Sequence, residues 1–374
     1  MQRREELKHC QRLVVKIGTN VLTEGKSLAR KRMEHIVGQV AQLRGDGRQV
    51  VLVSSGAIAL GKRELKLDSK AKGIPYKQVL ASVGQAKLMQ FYRELFKGHG
   101  IKVAQALLAR ADMTSRVGYL NARNTLWALL ELGVVPVVNE NDVVAVEELE
   151  GATFGDNDSL SAMVANLIDA ELLVILSDVG GLYTRDPGRK PGAQLISEVE
   201  RIDANLERLA EGSSGEGTGG MRTKLEAAKL ATASGVAVVI TDGREPKVIL
   251  RVLAGEPLGT FFPALVSRLE SRKRWMLSLP VRGKLIVDKG ARMALQQQNR
   301  SLLPAGVVGV EREFERGDVV AIYDPEGEEL GRGIVNYSSQ DMEKIKGHHS
   351  DEIPTLLGES FGEEVIHRDN LVLL

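Results

Sequence analysis

Six short apolar runs alternate with longer amphipathic stretches over the first two-thirds of the chain, and this rhythm restricts the fold more than any other feature. The runs are Leu13–Ile17, Val50–Val53, Lys102–Leu107, Val134–Val138, Leu172–Leu176 and Val236–Ile240. They are rich in valine and mostly apolar on consecutive residues, as strands covered on both faces must be. Helical patterns lie between several of them, at Lys31–Leu43, Tyr76–Phe96, Gly118–Leu132 and Asp158–Leu167. Repeated βαβ units predict an α/β fold, an αβα sandwich around a mainly parallel central sheet.

The rhythm breaks at Pro257–Arg274, which reads as a connecting segment with Gly259, Pro263 and a basic cluster. Beyond Pro280 come shorter strand-like pieces: Lys284–Asp288, Gly306–Glu311, Val319–Tyr323 and Arg332–Asn336, with a turn signal at Asp324-Pro-Glu-Gly327. The expected division is a first domain over 1–262, a linker over 263–280 and a small β-rich domain over 281–374. The whole chain is nearly neutral, with 50 Lys+Arg against 49 Asp+Glu, so no global field draws it to nucleic acid or membrane. Residues 281–374 carry 11 Lys+Arg against 17 Asp+Glu, a net charge of −6 that argues against RNA as a partner. A single cysteine, Cys10, excludes an internal disulfide and a multi-cysteine zinc site. Residues Met1 to Cys10 are charged and polar, and no run reaches the roughly 18 apolar residues of a membrane span. A cytoplasmic protein with no membrane association is the expectation.

Polar residues follow the apolar runs. Lys16-Ile-Gly-Thr19 follows the first, Ser54-Ser-Gly-Ala57 the second, Asn139-Glu-Asn-Asp142 the fourth, Ser177-Asp178 the fifth and Thr241-Asp-Gly243 the sixth. Each alone reads as ordinary turn chemistry. Five together would line one sheet edge, where open α/β sheets bind ligands. The segment Gly212-Ser-Ser-Gly-Glu-Gly-Thr-Gly-Gly-Met-Arg-Thr-Lys224 adds a glycine-rich loop running into a helical stretch, Met221–Ala233, with Thr223 and Lys224 in its first turn. Backbone N–H groups, a helix start and a lysine are how proteins hold phosphate, and the residue order is not that of a Walker A loop.

Two lysines, Lys16 and Lys224, suit phosphoryl transfer, which is mostly positioning and charge neutralisation. A lysine ending an apolar strand either reaches solvent or needs a partner. Gly155-Asp-Asn-Asp158 opens the helix that follows, and these residues serve either as helix caps or as groups that orient lysines and hold an ammonium. His348 and His349 read as surface residues, Trp127 and Trp275 as packing, and nothing activates Cys10.

In this order the motifs resemble those of the glutamate 5-kinase family within the amino acid kinase superfamily. The matching pieces are Val14-Val-Lys-Ile-Gly-Thr19, Val53-Ser-Ser-Gly-Ala-Ile-Ala59, Asn139-Glu-Asn-Asp142, Gly155-Asp-Asn-Asp158, Ser177-Asp178 with Gly181-Leu-Tyr183, and Thr218-Gly-Gly-Met-Arg-Thr-Lys224. Gly347-His-His-Ser350 and His367-Arg-Asp369 look like the PUA domain appended to many bacterial members. The resemblance implies ATP-dependent phosphorylation of the side-chain carboxylate of L-glutamate, the opening step of proline biosynthesis, with Mg²⁺ accompanying ATP. It implies catalytic roles for Lys16, Lys224 and Asp158, and glutamate binding by Ser55, Asp142 and Asn157. The nucleotide would meet Lys16, Gly18, Gly56, Ser177, Asp178 and the run Thr218, Gly219, Gly220, Met221, Arg222, Thr223 and Lys224. It further implies feedback inhibition by L-proline, a dimer or tetramer, and coupling to glutamyl phosphate reductase. Kinases of the same superfamily acting on aspartate, N-acetylglutamate, carbamate or a nucleoside monophosphate stay open as alternatives, as does an RNA-linked role for the PUA-like region.

Overall fold

In the computed structural model, residues 3–25, 27–66, 74–144, 157–185, 192–211, 220–267, 270, 273, 276–277, 279–298 and 300–374 are described. The chain divides into two compact units, Met1–Thr114 with Asn121–Arg268, and Ser115–Leu120 with Leu269–Leu374.

All six apolar runs form strands: β1 (Arg12–Ile17), β2 (Gln49–Ser54), β3 (Val103–Leu108), β4 (Val135–Glu140), β5 (Leu172–Ser177) and β6 (Ala237–Asp242). The amphipathic stretches form α1 (Arg30–Gly45), α3 (Ile74–Lys97), α4 (Arg116–Glu131), α5 (Asn157–Leu167) and α6 (Met221–Ala233), and an unanticipated short helix, α2 (Ala57–Glu64), follows β2. The segment expected only to connect contains a further strand, β7 (Thr260–Phe262), whose three residues are buried and pair antiparallel with β6. Three residues are too few for periodicity to separate a strand from a buried turn. Strand order is β3-β4-β2-β1-β5-β6-β7, with every pair parallel except the last. This is the expected αβα sandwich.

Alternation along β1 sends Leu13, Val15 and Ile17 into one core with Met33, Ile36, Val37 and Val40 of α1 and Leu88 and Tyr92 of α3. Val14 and Lys16 therefore belong to the opposite face, where α5 packs on β1 and on α6. The chain leaves β1 for β2 on one side and later returns to β5 on the other. Direction reverses at β1, which makes its carboxyl end the switch point where such sheets bind ligands.

The second unit is a five-stranded sheet of β8 (Val281–Val287), β9 (Val307–Glu311), β10 (Val319–Tyr323), β11 (Glu329–Ile334) and β12 (Leu371–Leu373), in the order β9-β8-β10-β11-β12. Only β8 and β10 run parallel. Leu285, Val287, Val320, Ile322, Tyr337 and Ile345 build a core of its own. Among the described residues, no helix is long and apolar enough to cross a membrane.

Candidate active site

Lys16 is 3% exposed, Lys224 6% and Asp158 fully buried. Burial rules out the solvent-reaching alternative for Lys16 and demands a counter-charge, because an unpaired buried ion is costly. Asp158 supplies it for both lysines. Its Oδ1 lies 2.5 Å from Lys16 Nζ, and its Oδ2 lies 3.1 Å from Lys224 Nζ. Thr223 Oγ1 donates to the same Oδ2 at 2.9 Å. Local structure explains how three distant segments meet. Lys16 points from the central strand, Asp158 stands in the first turn of α5, and Thr223 and Lys224 stand in the first turn of α6. The positive end of α5 favours a carboxylate there.

Among the described residues, two ammonium groups share the Asp158 carboxylate, and the helix starts of α5 and α6 add positive potential. That field selects an anion. The backbone nearby is shaped for close approach. Gly18 N donates to Leu176 O at 3.1 Å, and a Cβ on Gly18 would come within 4.0 Å of Lys16 Nζ. Gly56 precedes α2 at φ +100°, and a Cβ there would lie 2.5 Å from Leu22 Cδ2. Only glycine fits that turn. Ser55 N donates to Ile17 O at 3.1 Å, which joins this loop to the end of β1.

The residues after β4 and at the start of α5 are arranged differently. Asp142 follows β4, and burial together with the charge of Glu140 pushes its carboxyl up to about 6. Such a carboxylate gains from a cation nearby. Among the described residues the Oδ1 atom of Asn157 is buried without a hydrogen-bond partner, an acceptor suited to a ligand N–H. Asn139 and Glu140, expected after the fourth strand, are its last two residues. Asn139 Nδ2 donates to the buried Gln85 Oε1 at 2.8 Å.

At the carboxyl ends of β5 and β6 a cavity of about 420 Å³ opens, lined among others by Asp178, Tyr183, Thr241, Asp242, Arg244, Leu258 and Gly259. Its volume falls within the usual range for a small-molecule site. Burial alone would raise the Asp178 carboxyl, but hydrogen bonds from Asn20 and Ser177 and the charge of Lys224 hold it below the ordinary value. Asn20 Nδ2 reaches Asp178 Oδ2 at 2.8 Å, and Arg244 Nη2 donates to the Asp178 carbonyl at 2.6 Å. Asn20, Gln85 and Arg244 were not singled out in the sequence. Their partners are 158, 54 and 66 residues away, so spacing carries no sign of them.

The structure thus brings Lys16, Asp158, Thr223 and Lys224 into direct contact. Arg222 lies on the exposed side of α6 and pairs with Glu226 at 3.0 Å. Gly220 caps α6, its carbonyl lying 2.9 Å from Thr223 Oγ1, and Met221 begins the helix. Thr218, Gly219, Gly155 and Asp156 lie outside the described residues.

The amino acid kinase family model matches residues 11–242, and the PUA domain model matches residues 283–357. A glutamate 5-kinase of Dehalococcoides mccartyi is 53% identical over 367 residues, covering 97% of this chain and 98% of the relative. Those of Herpetosiphon aurantiacus and Citrifermentans bemidjiense are 51% and 49% identical, over 96% and 100% of this chain and 98% and 100% of the relatives. A protein with this sheet, this buried triad and near-complete coverage by such relatives belongs to the glutamate 5-kinase family of the amino acid kinases, with a PUA domain following the kinase domain.

Proposed function

We propose that the protein transfers the γ-phosphoryl group of ATP to the side-chain carboxylate of L-glutamate, giving L-glutamyl 5-phosphate and ADP and opening proline biosynthesis from glutamate. The observation that carries this reading is the buried Lys16–Asp158–Lys224 cluster at the switch point of the sheet. A glutamate side chain titrates near 4.3, so the attacking oxygen is already ionised at neutral pH and needs no base. The difficulty is bringing an anion to a polyanion. One carboxylate oxygen forms a bond to the γ-phosphorus as the bond to the β,γ-bridging oxygen breaks, and the leaving oxygen departs with ADP. Lys16 and Lys224 offset the charge spread over the transferring group. Asp158 keeps both ammonium groups in place without quenching both.

Ser55, Asp142 and Asn157 are assigned to glutamate, with Asp142 and Asn157 toward its α-ammonium. Ser177, Asp178 and the Thr218–Lys224 run are assigned to ATP, with its nucleoside in the 420 Å³ cavity. Gly18 and Gly56 let backbone N–H groups approach phosphate oxygens. Mg²⁺ would enter with ATP and screen its phosphates. The same family reading extends to a cytoplasmic enzyme that is a dimer or tetramer, is inhibited by L-proline and hands its labile product to glutamyl phosphate reductase.

The test is turnover of purified protein with L-glutamate, L-aspartate, N-acetylglutamate and UMP, with hydroxylamine present to trap acyl phosphates. Glutamate-dependent ADP release with γ-glutamyl hydroxamate is expected. Activity confined to another acceptor would move the substrate and keep the chemistry.

A further inference from the structure

The cavity at the ends of β5 and β6 has one wall that the kinase motifs do not supply. Pro257, Leu258 and Gly259 form it, and they lie beyond the residues matched by the kinase family model. This turn is confined at both ends by backbone shape. Gly255 (φ +83°) would place a Cβ 3.2 Å from Glu5 Cα, and Gly259 (φ +65°) would place one 2.1 Å from Ile240 O. Between these glycines the carbonyls are gathered by a single side chain from the opening 3-10 turn, Arg4–His9. Arg4 Nη1 donates to Glu256 O at 2.9 Å and to Leu258 O at 2.6 Å. Arg4 Nη2 donates to Ser197 O at 2.7 Å and to Gly259 O at 3.2 Å. The guanidinium also lies 5.4 Å from the centroid of the Phe261 ring. A planar fork with five donors can hold four carbonyls at once, whereas an ammonium group acts as a point charge.

Building on the nucleotide reading of this cavity, we infer that Arg4 is a positioning residue that fixes the Pro257–Gly259 wall, so that affinity for the nucleoside end of ATP depends on a side chain outside the kinase motifs. The arginine touches no reacting group. It sets where the wall stands before the nucleotide arrives, and so lowers the ordering that binding requires. A purely structural arginine would instead affect stability and leave ATP and glutamate binding alike.

The experiment compares wild type, Arg4→Lys and Arg4→Ala by ADP titration calorimetry, steady-state kinetics and amide hydrogen exchange of the full chain. Wild type is expected to gain protection at 256–260 when ADP binds. In Arg4→Lys, exchange of that segment should quicken. The Kd for ADP and KM for ATP should rise about tenfold, the scale of one charge-assisted contact. The KM for glutamate, and kcat at saturating ATP, should stay within about twofold on the same reasoning. Free guanidinium should partly restore ADP affinity to Arg4→Ala. A folded Arg4→Lys protein with wild-type ADP affinity would overturn the inference, as would unchanged exchange at 256–260 when ADP binds to wild type. Absence of ADP binding by wild type would instead remove the nucleotide assignment of the cavity.

Discussion

Asp158 is one carboxylate between two buried ammonium groups, and its removal should be felt twice. Asp158→Asn keeps the shape but leaves Lys16 and Lys224 facing each other with almost no solvent. Breaking a buried pair in this way costs about 3–5 kcal/mol. Urea denaturation should register that loss, and turnover well below the unfolding midpoint should fall by about a hundredfold or more; near-normal turnover would take Asp158 out of the chemistry. Asp142 makes a prediction of opposite character. Its folded-state value of about 6, raised by burial and then by Glu140, exceeds the ordinary aspartate value of 3.8. Between those values the folded state binds more protons than the unfolded one, so this group's contribution to stability declines as pH rises from about 4 to 6. Asp142→Asn should therefore gain thermal stability relative to wild type across that window and hold the gain above it. If the carboxylate receives the glutamate ammonium, wild-type KM for glutamate should climb as pH falls through 6, while the Asn variant shows a high KM with little pH dependence. At this scale the sequence was a partial guide: Lys16, Asp158 and Lys224 could be named from their motifs, with Asp158 expected to organise the lysines, but which carboxylate oxygen meets which lysine depended on folding three distant segments together.

Among the elements, the six valine-rich strands were legible because burial on both faces writes itself as unbroken apolar runs. Helix α2 was not, because Gly61 interrupts a stretch of only eight residues. The structure gives that glycine a purpose. Helices α2 and α3 meet backbone to backbone: a Cβ on Gly61 would fall 1.8 Å from Leu80 O, and one on Gly84 would fall 1.7 Å from Ala57 O. Ala57 directly follows the Ser55-Gly56 turn, so this crossing sets the position of that turn. Gly84→Ala should separate the helices at a cost of about 1–3 kcal/mol or more and lower kcat/KM with it. Among the described residues, Gly38, in the middle of α1, has no atom beyond its own helix backbone and chain neighbours within 4 Å of where a Cβ would stand. There the same substitution should stabilise by about 0.5–1 kcal/mol, the ordinary helix-interior gain. Denaturation midpoints of the two variants, measured side by side, check the contrast; equal shifts would mean that close packing is not what Gly84 provides. Strand β7 escaped notice for a related reason, since Thr260–Phe262 carries its information in pairing to β6 rather than in any period of its own.

For the molecule as a whole, the hydrophobic side chains gather into distinct cores. One core gathers β1, β2, β4, β5 and β6 with α1 and α3, and a separate one gathers β8, β10 and the elements after them. A core that closes on itself can melt by itself. Differential scanning calorimetry of the full chain should then show two transitions. A non-hydrolysable ATP analogue distinguishes them, because a ligand stabilises only the cooperative unit that binds it. At a free concentration about one hundred times Kd, the stabilisation is about 2.7 kcal/mol. The lysine triad and the cavity draw all their residues from the first unit, so one transition should move to higher temperature and the other stay fixed. If the analogue displaces both transitions together, the two cores unfold as one system, and the PUA domain would share directly in the energetics of nucleotide binding.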